Sequence, residues 1–194
     1  MAATDVFNLD QYLLRRKVFK LFGAAFHIFD TRGNVVIYSK MKAFKLKEDI
    51  RLYTGEDMQT ELLVIKARNI IDIAATYDVY DSASGAKIGS LRRKGLKSII
   101  KDEWILMDAT DKEIGLVMED VLILALLRRF LTSLIPQTYH GVVGGQPVLE
   151  FKQNFNPFVL KFQMDFSMDR EKKLDRRLGI AAAVLLGAIE GRQN

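Results

Sequence analysis

The side chains able to do chemistry are few and scattered. The 194 residues include two histidines, His27 and His140, and no cysteine. Without Cys there is no disulfide, no thiolate nucleophile and no Cys-based zinc site. Both histidines fall in or beside strand-like stretches, with no second His at metal-ligand spacing, so packing accounts for them. Ser98, Ser133 and Ser167 lack the glycine-flanked elbow that exposes a hydrolase nucleophile. Gly141-Val142-Val143-Gly144-Gly145 is not followed by the Lys-Ser/Thr pair that opens a phosphate-binding helix, and a hairpin turn explains its glycines. Asp108-Ala109-Thr110-Asp111-Lys112-Glu113 has the outline of a calcium loop. However, Lys112 puts a cation where an oxygen ligand belongs, and Glu113 replaces the required glycine. Asp165, Asp169, Glu171 and Asp175 are interleaved with Arg170, Lys172 and Lys173, as at a solvated helix start. No catalytic residue, metal ligand or cofactor is assigned, and the sequence reads as that of a non-enzyme.

Cations are the remaining lead. The formal net charge is +5, a modest excess that attracts phosphates but is also common on inert proteins. Lys87, Arg92, Arg93, Lys94, Lys97 and Lys101 run with no acid among them, and Gly95 suggests a loop tip. Lys40 and Lys42 alternate on a strand and so share a face. If the two groups are neighbours, Lys40, Lys42, Arg92, Arg93 and Lys94 make a binding site for anionic membrane lipid, a phosphoinositide or another phosphorylated ligand. Solvated surface charge is the plainer account of the same residues. Aromatic residues do not interleave with them, which argues against nucleic acid. A second reading is a structural or protein-interaction module that offers the apolar stretch 121–134 to an unidentified protein partner.

These residues must be positioned by strands. Short apolar runs recur in pairs around turn residues. Phe26–Phe29 and Val35–Tyr38 flank Asp30-Thr31-Arg32-Gly33-Asn34. Tyr77–Tyr80 and Lys87–Gly89 flank Asp81-Ser82-Ala83-Ser84-Gly85. Trp104–Met107 and Ile114–Val117 flank 108–112, and Tyr139–Val143 and Val148–Phe151 flank Gly144-Gly145-Gln146. Val18–Leu21, Phe44–Leu46, Ile50–Tyr53 and Leu62–Ala67 are further short strands. Over 158–166 the residues Phe158, Leu160, Phe162, Met164 and Phe166 fall on one face. The pattern is a meander of antiparallel hairpins.

Two helices interrupt it. One is expected over 120–134, with Asp120 as its cap and Pro136 beyond its end. The other covers 178–189, which contains no polar residue, with Ser167 or Asp169 as cap and a charged lead-in over 169–177. A helix apolar on all sides must be surrounded. Twelve residues span only about 18 Å, well short of a ~30 Å hydrocarbon core, so protein surrounds it. A sheet closed around the helix covers it and removes the sheet edges. No Pro/Ser-rich linker divides the chain, and a single domain over 1–194 is expected. The first five residues do not read as a secretory signal, so the expected location is cytoplasmic, peripheral at a membrane if lipid is the ligand.

Two stretches carry a family resemblance. The first is Phe26-His27-Ile28-Phe29-Asp30-Thr31-Arg32-Gly33 followed by Tyr38-Ser39-Lys40-Met41-Lys42. The second is the alternating strand that passes through Leu174-Asp175-Arg176-Arg177-Leu178 into the Ala-rich helix. In this order they resemble the LURP-one-related family, grouped with Tubby C-terminal-like domains and phospholipid scramblases. The resemblance implies a mainly β (β+α) fold, a closed antiparallel barrel of about twelve strands around the hydrophobic C-terminal helix. For function it implies little: Tubby domains bind phosphoinositides through basic residues, scramblases are linked to calcium and membranes, and LURP-one-related proteins mostly have no assigned activity. The cysteine-rich segment that scramblases use for lipid attachment is missing here.

Overall fold

The computed structural model describes residues 5–19, 23–41, 49–68, 75–94, 103–120, 137–154 and 159–190. A 3-10 turn (Asp5–Phe7) precedes β1 (Gln11–Phe19), β2 (Gly23–Phe29), β3 (Val35–Met41), β4 (Ile50–Tyr53), β5 (Glu61–Ala67) and β6 (Thr76–Asp81). Then come β7 (Lys87–Arg93), β8 (Glu103–Asp108), β9 (Glu113–Glu119), β10 (Thr138–Val143), β11 (Gln146–Gln153), β12 (Lys161–Asp165) and α1 (Arg176–Glu190). Each strand pairs antiparallel with the next, and β1 also pairs with β12, so the twelve strands form a closed barrel.

Alternation sorts each strand into an inner and an outer face. On β1, Tyr12 and Leu14 face in and stand opposite Met164 and Phe162 of β12; all four are buried. Burial pushes the Tyr12 phenol up to about 12, and its hydroxyl donates to the Val6 carbonyl at 2.8 Å, tying the leading turn to the barrel. The strand begins at Gln11, earlier than the apolar run suggests, because β12 supplies partners as far as Asp165.

The hairpin turns follow one recipe. Asp30, Asp81 and Asp108 each close their turn with side-chain acceptors. Asp30 accepts from the N–H groups of Arg32 and Asn34, Asp81 from that of Ser84, and Asp108 from those of Thr110 and Lys112. These are the Asx turns that Asp favours. They also explain the 108–112 loop without a cation, since its first carboxylate is already occupied by its own turn. At Gly144 and Gly145, φ is 56° and 79°. Two adjacent positive φ values make the two-residue hairpin between β10 and β11, which glycines adopt without a Cβ penalty.

The core is the barrel's inner face packed on α1. Residues 178–188 are all buried, and Ala181, Ala183, Val184 and Leu185 are 0% exposed. A Cβ at Gly179 would lie 2.5 Å from the Phe166 ring, and one at Gly187 would lie 3.1 Å from Phe26. Small residues thus set how closely helix and wall approach. Asp175 is the N-cap, its carboxylate accepting the Arg177 N–H at 2.9 Å. The expected caps, Ser167 and Asp169, lie outside the helix because 169–175 forms turns instead of a helical lead-in. Asp169 is buried in those turns and accepts the N–H groups of Lys173 and Leu174. The expected strand over 158–166 is shorter, Lys161–Asp165, because the Phe166 N–H turns to the Asp10 carbonyl. The expected strand at 44–46 and helix over 120–134 lie outside the described residues, save Asp120, which is not helical.

Candidate functional site

Neighbouring strands are all antiparallel, so every odd-numbered strand runs the same way and ends at one rim of the barrel. That rim is also where α1 ends. At the opposite end, Arg176 of the first helical turn meets Asp10 and Arg177 meets Asp81. The odd strands carry cations to the rim: Arg16 and Lys17 on β1, Lys40 on β3, Lys66 on β5, and Arg92, Arg93 and the following Lys94 on β7. The carboxylates of Asp30, Asp81, Asp108, Asp165, Asp169 and Asp175 sit toward the other end. Glu103, Glu119 and Asp120 also reach the rim, and Arg170, Lys172, Lys173 and Arg176 stand beside the aspartates of the other end; cations near the C-terminal end of α1 interact with the helix dipole in the stabilising sense.

Lys40 is exposed opposite Ala25, and no described residue forms an ion pair with it. Arg92 makes a salt bridge with Glu113, and Lys94 Nζ lies 2.9 Å from Glu103. Arg93 shares the inward face of β7 with Leu91 and stands opposite buried Trp104, so it belongs to the barrel mouth more than to the outer surface. Lys42, Lys97, Lys101 and the loop tip at Gly95 lie outside the described residues. Between β3 and β7 stand three strands, and four strand spacings amount to about 19 Å along the wall. Lys40 and the Arg92–Lys94 group share a rim but are spread along it.

The outer wall also carries a closed ion network. Arg68 donates to Asp78, to Asp111 Oδ1 at 2.7 Å and to Ser90 Oγ at 3.2 Å, while Lys87 Nζ reaches Asp111 at 2.7 Å. The Arg68 and Lys87 hydrogen bonds hold the Asp111 carboxyl well below the ordinary range. Burial alone would raise Asp78, but donors from Arg68, Ser90 and Lys87 outweigh it and keep that carboxyl low. His27 Nε2 is 2.8 Å from Glu56, and its ring packs against Tyr38 and Phe29. His140 lies 3.7 Å from Asp120 and 3.8 Å from Glu150. Among the described residues no group of three His, Asp or Glu side chains is placed to hold a metal ion, and no helix is long and apolar enough to cross a membrane.

A model of the LURP-one-related family matches residues 11–187, from the first residue of β1 to Gly187 near the end of α1. The chain belongs to the LURP-one-related family. No curated protein and no solved structure matches it. In this LURP-one-related barrel, sequence reasoning picked out the cations of β3 and β7 and passed over those of β1. Arg15-Arg16-Lys17 alternates between the two faces, with Arg15 outward and Arg16 inward beside Tyr12 and Leu14. The alternation Tyr12, Leu14, Arg16 was the available signal.

Proposed function

We propose that this LURP-one-related barrel is a non-enzymatic scaffold that docks on anionic phosphates through its basic rim, foremost those of a membrane surface containing phosphoinositide or other acidic lipid. One observation carries the reading: four strands deliver cations to the same end of the barrel. A spread of charges along a rim suits a flat, multivalent surface better than a single small ion. Each exposed Lys or Arg near an acidic bilayer contributes about 1 kcal/mol. The Tubby-like and scramblase-like kinship implied by the sequence points in the same direction, toward a peripheral cytoplasmic protein that needs no cofactor.

Flotation with phosphatidylcholine vesicles, alone or with phosphatidylserine or a phosphoinositide, tests this. The expected result is flotation only with acidic vesicles, weakening as salt rises because the contacts are exposed charges. Failure to float with acidic vesicles at low salt overturns the proposal.

A further inference from the structure

The outer wall formed by β11, β12, β1 and β2 holds a groove of about 630 Å³. It lies across the barrel from Arg92 and Lys94, since β1 and β7 are six strands apart in the ring of twelve. Arg15 and Lys161 both line it, and they are direct register partners on β1 and β12. Like charges directly opposite on neighbouring strands repel and destabilise the pair. Lys152 on β11 lines the groove as well, next to Lys161 on the diagonal.

Asp30, Glu150 and Asp165 also line the groove, but none of them is within ion-pair distance of Arg15 or Lys161. Asp30 is taken up by the N–H groups of its own turn, Asp165 by Gln11 and the Ser167 N–H, and Glu150 by Lys152 at 2.7 Å. Among the described residues neither Arg15 nor Lys161 has an ion-pair partner. Leu13 and Phe29 line the same groove and give it an apolar stretch beside the two cations.

We infer that this groove is a binding site for a phosphate ester, the phosphate held between Arg15 and Lys161 and its organic part lying on Leu13 and Phe29. A guanidinium and an ammonium facing one another with no carboxylate in ion-pair contact suit a phosphate dianion, which turns the repulsion between them into two charge-assisted hydrogen bonds. The site is independent of the rim, and either can fail without the other.

The test is a titration of the full chain with phenyl phosphate, followed by NMR or calorimetry. Phenol and inorganic phosphate serve as controls. Phenyl phosphate is expected to bind more tightly than either control. Arg15→Gln and Lys161→Gln are each expected to weaken it about tenfold or more, the loss of one charge-assisted bond. Leu13→Asn should weaken phenyl phosphate and leave inorganic phosphate unchanged. Lys161→Gln should not lower the melting temperature, since it relieves a repulsion. Vesicles containing phosphatidic acid distinguish the source of the ester. If Arg15→Gln impairs flotation and phenyl phosphate competes, the ester is a lipid headgroup; if flotation is unaffected while phenyl phosphate binds, it is a soluble molecule. The inference is overturned if phenyl phosphate does not bind, or if Arg92→Ala with Lys94→Ala weakens it as much as Arg15→Gln, because the effect is then diffuse positive charge.

Discussion

Asp169 Oδ2 accepts a hydrogen bond from Arg176 Nη1 at 3.0 Å, and its side chain is only 2% exposed. The same guanidinium donates to Asp10 and to the Phe166 carbonyl, and it lies 4.9 Å over the Phe166 ring. This single arginine ties the entry of the central helix to β12 and to the residue before β1. Asp169→Ala leaves the guanidinium and the N–H groups of Lys173 and Leu174 without that acceptor. Breaking a buried pair from one side costs roughly 3–5 kcal/mol. Urea unfolding should show a loss of that order, and Asp169→Asn, which keeps one acceptor oxygen, should lose less.

The helix interior tolerates neither charge nor volume. Ala182→Asp places a carboxylate at a 2% exposed position with no partner, and the variant should not fold cooperatively. Gly179→Ala is the finer probe, since its Cβ would approach the Phe166 ring to 2.5 Å. Overpacking of this kind costs about 1–3 kcal/mol. Combining it with Phe166→Leu should recover part of the loss in a double-mutant cycle. Purely additive effects would show that the helix does not meet the wall there.

Acid should destabilise the barrel through its aspartates. Side-chain hydrogen bonds from Asn34, Ser84 and Thr110 hold Asp30, Asp81 and Asp108 below the ordinary carboxyl range, as Arg68 and Lys87 do for Asp111. A carboxyl whose pKa is lower in the folded state contributes stability that is fully present above the unfolded value, near 3.9. That stability disappears as pH falls through the folded value. The urea midpoint should therefore hold steady from neutrality to about pH 4 and drop below it. Asp111→Asn should make that drop shallower, and an unchanged profile would remove the ion network from the account.

Rim charges can be tested without touching the core. Arg92→Ala and Lys94→Ala remove exposed pairs with Glu113 and Glu103, each worth about 0–1 kcal/mol. Together with Lys40→Ala, they should leave the melting temperature nearly unchanged and reduce flotation with acidic vesicles. Arg170, Lys172 and Lys173 at the opposite end provide the control triple, →Ala. Equal loss in both triples would mean that only overall positive charge is being read.

Local patterns made much of this fold legible. Alternation in 158–166, the repeated Asp turns and the unbroken apolar run at 178–189 each reflect physics within a few neighbouring residues. The cap was misplaced because Ser167, Asp169 and Asp175 all have capping side chains, and only the folded chain shows Asp169 spent on the N–H groups of Lys173 and Leu174 while Asp175 accepts from Arg177. The opposition of Arg15 and Lys161 was not legible, since the two are far apart in the chain and meet only when β12 closes the ring. The same is true of the shared rim: Lys40 and Arg92 reach one end because an intervening pair of hairpins returns the chain to the same direction.

All twelve strands precede α1 in the chain. During synthesis, every wall of the barrel therefore leaves the ribosome before the helix that fills it. Closure of β1 on β12 is likewise the pairing with the greatest sequence separation, which makes folding slow. Until α1 arrives, Phe26, Leu14, Phe151 and their inward neighbours lack the helix they pack against. The nascent protein thus passes through a stage with its inner faces exposed, at risk of aggregation. Synthesis of α1 and completion of the core are one event.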